Sequence, residues 1–217
     1  MALDSNGAAM KILLTGFGPF PGIESNHTQT IAEHFKKNSK KLEYQLITSI
    51  IPVTFSDGKT IIPKLIEEHH PDYVLVMGVK STSSEFCLEK IAINALHSTK
   101  PDFKGNFANH EKILTDAREA FFSDIDLCTW CQDLNEKGIL AAVTYSAGTY
   151  VCNQTFYLFS HYLSKYSSSN RVVLLHVPRL PSQIPEDSND MGMEYNTILE
   201  GVKICLELAY LDYKSSA

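Results

Sequence analysis

The chain has 217 residues, 44% of them hydrophobic, and a formal net charge of -6 at pH 7. That is enough apolar material for the core of one large domain, while the acidic balance leaves no footprint for nucleic acid or for an acidic membrane surface. The longest apolar runs, such as 73–78 and 172–175, have the length of strands and are too short to span a bilayer.

Residues 1–10 lack a basic start and a long apolar stretch, so they read as a flexible leader rather than a secretory signal, and 11–217 as a single α/β domain. Lys11–Thr15 is expected to be a short buried strand, ending in the loop Gly16-Phe17-Gly18-Pro19-Phe20, which runs on through Pro21-Gly22 and Glu24-Ser25-Asn26. Thr28–Lys37 reads as a helix with Ile31 and Phe35 inward, and Leu42–Pro52 alternates as a strand. Ser56-Asp57 caps a second helix through His69, with Ile61, Ile62, Leu65 and Ile66 at helical spacing. Tyr73–Met77 is a continuous β-rich run, the mark of a strand covered on both faces. Gly78–Ser84 reads as a loop, Leu88–Leu96 as a further strand and 101–109 as a polar loop. Helix Asp124–Lys137, strand Ile139–Tyr145, helix Val151–Lys165 and strand Arg171–Val177 follow. A proline-rich loop, 178–192, is long enough for a lid or an interface, and Glu194–Tyr213 is a final amphipathic helix.

Strands alternating with helices predict βαβ units, and so a three-layer α/β/α sandwich around a mainly parallel, twisted sheet. Sites in such sheets gather beyond the carboxyl ends of the strands. Four loops qualify, after Thr15, Met77, Tyr145 and Leu175; they carry Phe17, Phe20 and Asn26, then Gly78, Cys152 and His176. Gly16-Phe17-Gly18 alone makes no dinucleotide fingerprint and there is no P-loop, so no nucleotide cofactor is expected. The five cysteines are an odd number, and Cys128-Thr129-Trp130-Cys131 has no second pair beside it. That motif reads as helix packing rather than a zinc or redox site; no metal is expected, and the thiols suit a reduced, cytoplasmic compartment.

Cys152 stands in the first turn of a helix that follows a strand and the small-residue turn Ser146-Ala147-Gly148-Thr149. A helix start stabilises an anion, which predicts a lowered thiol pKa and a ready nucleophile. Such a thiol needs a base, and His176, at the end of an apolar strand and before Val177-Pro178, is the best placed of eight histidines. His161 lies nine residues along the same helix, about 13 Å away at 1.5 Å per residue, and is out of reach. A carboxylate should orient the imidazole; Glu89 is the first candidate and Glu85 its rival.

These residues resemble the pyroglutamyl peptidase I family, the pyrrolidone carboxyl peptidases, over most of the chain from Lys11 onward. Four matches carry the resemblance: Gly16–Phe20 with Asn26; Gly78 through Asn94, including Leu88-Glu89-Lys90; Ser146 through Asn153 around Cys152; and His176-Val177-Pro178. The resemblance implies a Glu89–Cys152–His176 triad acting on pyroglutamyl peptides, with no cofactor. It also implies that Phe17 and Phe20 hold the lactam ring, with Asn26 and the Val79 position nearby. Many bacterial members carry a glutamine where this chain has Val79, and an arginine where it has Thr99 beside Lys100. Animal members also lack that glutamine, which points to divergence rather than lost activity. A related cysteine amidase of other acyl specificity, or a silent binding homologue, are the alternatives, and a homo-oligomer stays open.

Overall fold

A computed structural model of the chain describes residues 9–20, 25–39, 42–186, 188 and 191–216. Residues 1–8 of the expected leader, Pro21, Gly22 and Glu24 of the first loop, and 187, 189 and 190 of the proline-rich loop lie outside them. Six strands form the main sheet: β1 (Lys11–Phe17), β2 (Gln45–Ile51), β3 (Tyr73–Val79), β4 (Phe86–Glu89), β9 (Ala141–Thr144) and β10 (Val172–Val177). Their spatial order is β2-β1-β3-β10-β4-β9. The first four run parallel, whereas β4 is antiparallel to β10 and β9 follows β4. Two small antiparallel pairs lie apart, β5 (Ile91–Ile93) with β8 (Ala120–Phe122) and β6 (Leu96–Ser98) with β7 (Ala108–Glu111).

The sheet is sandwiched because its strands are apolar on both faces. Alternate residues point opposite ways. Ile12, Leu14, Leu75, Met77, Val173 and Leu175 pack with residues of α1 (His27–Asn38), α3 (Leu127–Glu136) and α5 (Tyr195–Ser216). Leu13, Val74, Val76, Val172 and Leu174 pack with α2 (Asp57–His69) and α4 (Val151–Leu163). Burying both faces leaves few buried polar positions in these strands, among them Thr15, Glu89 and His176.

Three expectations need correcting. Leu88–Leu96 is not one strand. Lys90 keeps its N–H on Thr144 O at 2.8 Å but gives its carbonyl to Ser123 N at 2.9 Å, so the chain leaves the main sheet there and joins β8. Periodicity cannot reveal such a change of partner. Gly78 and Val79 extend β3 rather than opening a loop, because β10 continues alongside them. Within the stretch read as leader, Met10 is fully buried and its carbonyl accepts from Gln45 N at 2.8 Å.

Candidate active site

On the face covered by α4, Val74, Val76 and Gly78 of β3 run in register with Val172, Leu174 and His176 of β10. The first two pairs are apolar core. The last pairs a histidine with a residue that has no side chain, and α4 begins above it. The point a Cβ on Gly78 would occupy is 3.0 Å from Cys152 Sγ and 3.3 Å from His176 Nε2. Sulfur and imidazole thus both border the space that glycine leaves open, and a side chain there would press on both.

Cys152 does not come off a carboxyl end in the way the sequence suggested. Because β9 runs against β10, Thr144 lies level with Glu89 and hence with Leu174, well inside the sheet. The stretch 145–150 carries the chain back to the edge, helped by Gly148 at φ +74°, a conformation that suits glycine. Two buried amides then fix the start of α4. Asn153 exchanges hydrogen bonds with the backbone of Ile93, accepting at 3.0 Å and donating at 2.9 Å, and Gln154 donates to Phe55 O at 3.0 Å. Tyr150 precedes the helix without a side-chain cap, so no N-cap side chain occupies the first-turn N–H groups.

Glu89 is fully buried, and its Oε1 lies 2.8 Å from His176 Nδ1. Burial opposes its ionisation, but the hydrogen bonds that His176 and Lys80 make to Oε1 help to outweigh that and hold the carboxyl below its ordinary pKa. An ionised carboxylate only accepts, so the imidazole proton sits on Nδ1 and the lone pair is left on Nε2. Lys80 donates to the same Glu89 oxygen at 3.0 Å. Burial works against the charge on Lys80, yet Glu89 and Cys87 raise its pKa overall. Sequence reasoning missed Lys80: nothing in the local pattern marks it as a partner of a buried carboxylate. Glu85, the rival, meets Ser83 instead: its carbonyl accepts from Ser83 Oγ at 3.1 Å and its N–H donates to that oxygen at 3.2 Å.

The expected low thiol pKa is also overturned. Burial, reinforced by the negative charge on Glu89, pushes the Cys152 thiol up to about 12. The magnitudes explain why. A helix end is worth about 0.3–1 kcal/mol, less than one unit at about 1.4 kcal/mol per unit, whereas burial moves a group by up to about 3–5 units.

Beside the sulfur lies a pocket of about 80 Å³, lined by Phe17, Phe20, Asn26, Val79 and Cys152 together with Val53, Tyr150 and Val151. One water needs about 10–15 Å³ by this measure, so the space suits a small ring and little more. Among the described residues no charged side chain lines it. The sequence reading did not include Val53, Tyr150 or Val151, although the last two adjoin Cys152 in its own motif. Asn26 is largely committed inside the protein. Its Oδ1 caps α1, accepting from Thr28 N at 3.1 Å and Thr28 Oγ1 at 2.8 Å, and its Nδ2 donates to Gly18 O at 3.0 Å. Only one amide hydrogen remains for a ligand.

Elsewhere, Cys131 lies on α3 with its sulfur 3.0 Å from Ala141 O, while Cys128 is exposed. His161 packs among the rings of Phe121, Tyr157 and Tyr162, away from the site. Among the described residues no helix is long and apolar enough to cross a membrane.

A half-buried thiol at a helix start, an imidazole beside the same glycine and a carboxylate behind the imidazole, on a mixed α/β sandwich, are the equipment of a cysteine hydrolase. The chain belongs to the pyroglutamyl peptidase family, whose model matches residues 10–212. It is 33% identical over 204 residues to the pyrrolidone-carboxylate peptidase of Pyrococcus furiosus, covering 92% of this chain and 98% of that protein. A solved structure of a mutant pyrrolidone carboxyl peptidase from the same organism aligns with a TM-score of 0.87 at 32% identity, covering 94% of this chain and all of that one. The pyroglutamyl peptidase I of Bacillus amyloliquefaciens aligns with a TM-score of 0.82 at 26% identity, over 90% of this chain and 94% of that one.

Proposed function

We propose that this protein is a cysteine exopeptidase that removes N-terminal pyroglutamate from peptides. The observation that carries the proposal is the Gly78 gap, which opens Cys152 to His176 while the same sulfur forms one wall of a small uncharged pocket. Phe17, Phe20 and Val79 offer apolar surface to a flat, neutral lactam. An ordinary peptide N-terminus carries an ammonium, which is costly to bury there without a partner. The pocket therefore favours blocked, cyclic termini.

The chemistry follows from the protonation states. Nε2 of His176 takes the thiol proton as Cys152 Sγ attacks the carbonyl carbon joining pyroglutamate to the next residue. The first-turn N–H groups of α4, including that of Cys152, receive the developing oxyanion. His176 returns the proton to the departing amine as the C–N bond breaks, leaving a pyroglutamyl thioester. Water, deprotonated by His176, then attacks the thioester, releases pyroglutamate and restores the thiol. Glu89 holds the imidazole in the required tautomer and balances its charge while it carries both protons. Profiling with pyroglutamyl, prolyl and free amino-acid amides tests the specificity: only the pyroglutamyl amide is expected to turn over, and faster cleavage of another class would identify a different amidase.

A further inference from the structure

The small pocket adjoins a second cleft of about 790 Å³, roughly ten times larger, and the two share Phe20, Val79 and Tyr150 in their walls. With pyroglutamate in the small pocket and its carbonyl at Cys152, the rest of the peptide has to leave through these shared walls into the larger space. The charge of that space is opposite to the charge of the chain. Lys100 and Arg179 line it, and among the described residues no aspartate or glutamate does, although the protein carries 25 acidic residues against 19 basic ones. Neither cation forms an ion pair among the described residues. They come from distant parts of the chain, Lys100 from beyond β6 and Arg179 from just past β10, and converge on this cleft.

We propose that this cleft is the leaving-peptide site and that Lys100 and Arg179 make it a carboxylate site. This rests on the pyroglutamyl peptidase reading. Such a site favours peptides that place a carboxylate one or two residues beyond the scissile bond: the free C-terminus of a short pyroglutamyl peptide, or an acidic side chain in a longer one. Half-exposed ion pairs are individually weak, so two together support a preference of about five- to tenfold, and one that salt screens.

The test compares kcat/KM for pyroglutamyl-alanine with pyroglutamyl-alanine amide, and for pyroglutamyl-glutamate amide with pyroglutamyl-glutamine amide. The first pair reports a terminal carboxylate and the second a side-chain carboxylate. The acid of at least one pair is expected to lead about five- to tenfold at low ionic strength. That lead is expected to shrink with added salt, and to vanish in the Lys100→Gln/Arg179→Gln double variant. Equal rates within both pairs, or a preference that neither salt nor the double variant moves, would overturn the carboxylate site while leaving the peptidase reading intact. No turnover of any of the four substrates would overturn both. The wild-type salt dependence keeps the test decisive should the double variant fold poorly.

Discussion

His176 Nδ1 and Glu89 Oε1 lie 2.8 Å apart with side chains only 7% and 0% exposed. In register Glu89 faces Leu174, two residues before His176, so the pair is a diagonal contact across antiparallel strands. The reversal of β4 is what puts a carboxylate behind the imidazole. Glu89→Gln keeps the shape but removes the charge and the demand for an Nδ1 proton. It is expected to lower kcat by about 100-fold or more with little change in KM. Steady-state kinetics on a pyroglutamyl amide dye check this, and an unchanged kcat would remove Glu89 from the mechanism.

Lys80 adds a second expectation. Its ammonium shares Oε1 of Glu89 with the imidazole, so it offsets part of the carboxylate's hold on a protonated His176. In Lys80→Met that hold strengthens, and the acid limb of the kcat/KM profile moves to higher pH. Lys80→Arg restores the charge and keeps the limb near its original position. A limb that stays put in the methionine variant would make Lys80 merely structural.

Gly78→Ala puts a methyl 3.0 Å from the sulfur and 3.0 Å from His176 Cδ2. Both groups must give by a few tenths of an ångström to admit it, and misplacement of about 1 Å costs about 100-fold in rate. Activity is expected to fall by about threefold to tenfold while circular dichroism stays native. Near-normal turnover would show that Cys152 and His176 do not work through this gap.

The raised thiol pKa makes a claim about pH. At neutral pH Cys152 is protonated, so iodoacetamide should label it slowly, with a rate that climbs through the alkaline range well past the ordinary thiol value of about 8.5. A rapid reaction already complete in mild acid would instead indicate a standing thiolate–imidazolium pair. The same shift bears on stability. The folded state holds this proton more tightly than the unfolded chain does, as it does at buried Cys205, also pushed up to about 12. That stability is complete below about pH 8.5 and is lost as pH rises towards 12.

The parts of this arrangement that could be read from sequence were those with a local signature. The apolar runs 73–77 and 172–175 announced buried strands, and the turn before Cys152 announced a helix start. His176 closing its strand could be placed at an edge. What stayed hidden depended on partners distant in sequence. The reversed direction of β4 and β9 is set by pairing across a sheet, and no single-strand pattern encodes it. Lys80 looks like any loop lysine until Glu89, nine residues later, is brought beneath it. The pKa of Cys152 went the wrong way because the helix position is visible in sequence whereas the depth of burial is not. Asn26 lines the small pocket, but its work in capping α1 depends on geometry around Thr28 and Gly18 that the sequence does not display.

The central claim, that Cys152 attacks a pyroglutamyl carbonyl, is tested most directly by amine release from a pyroglutamyl amide dye with wild type and Cys152→Ala at equal concentration. Steady turnover by the wild type and none by the alanine variant is the expected result. Comparable release by both proteins, or a wild type inert towards the dye, would contradict it.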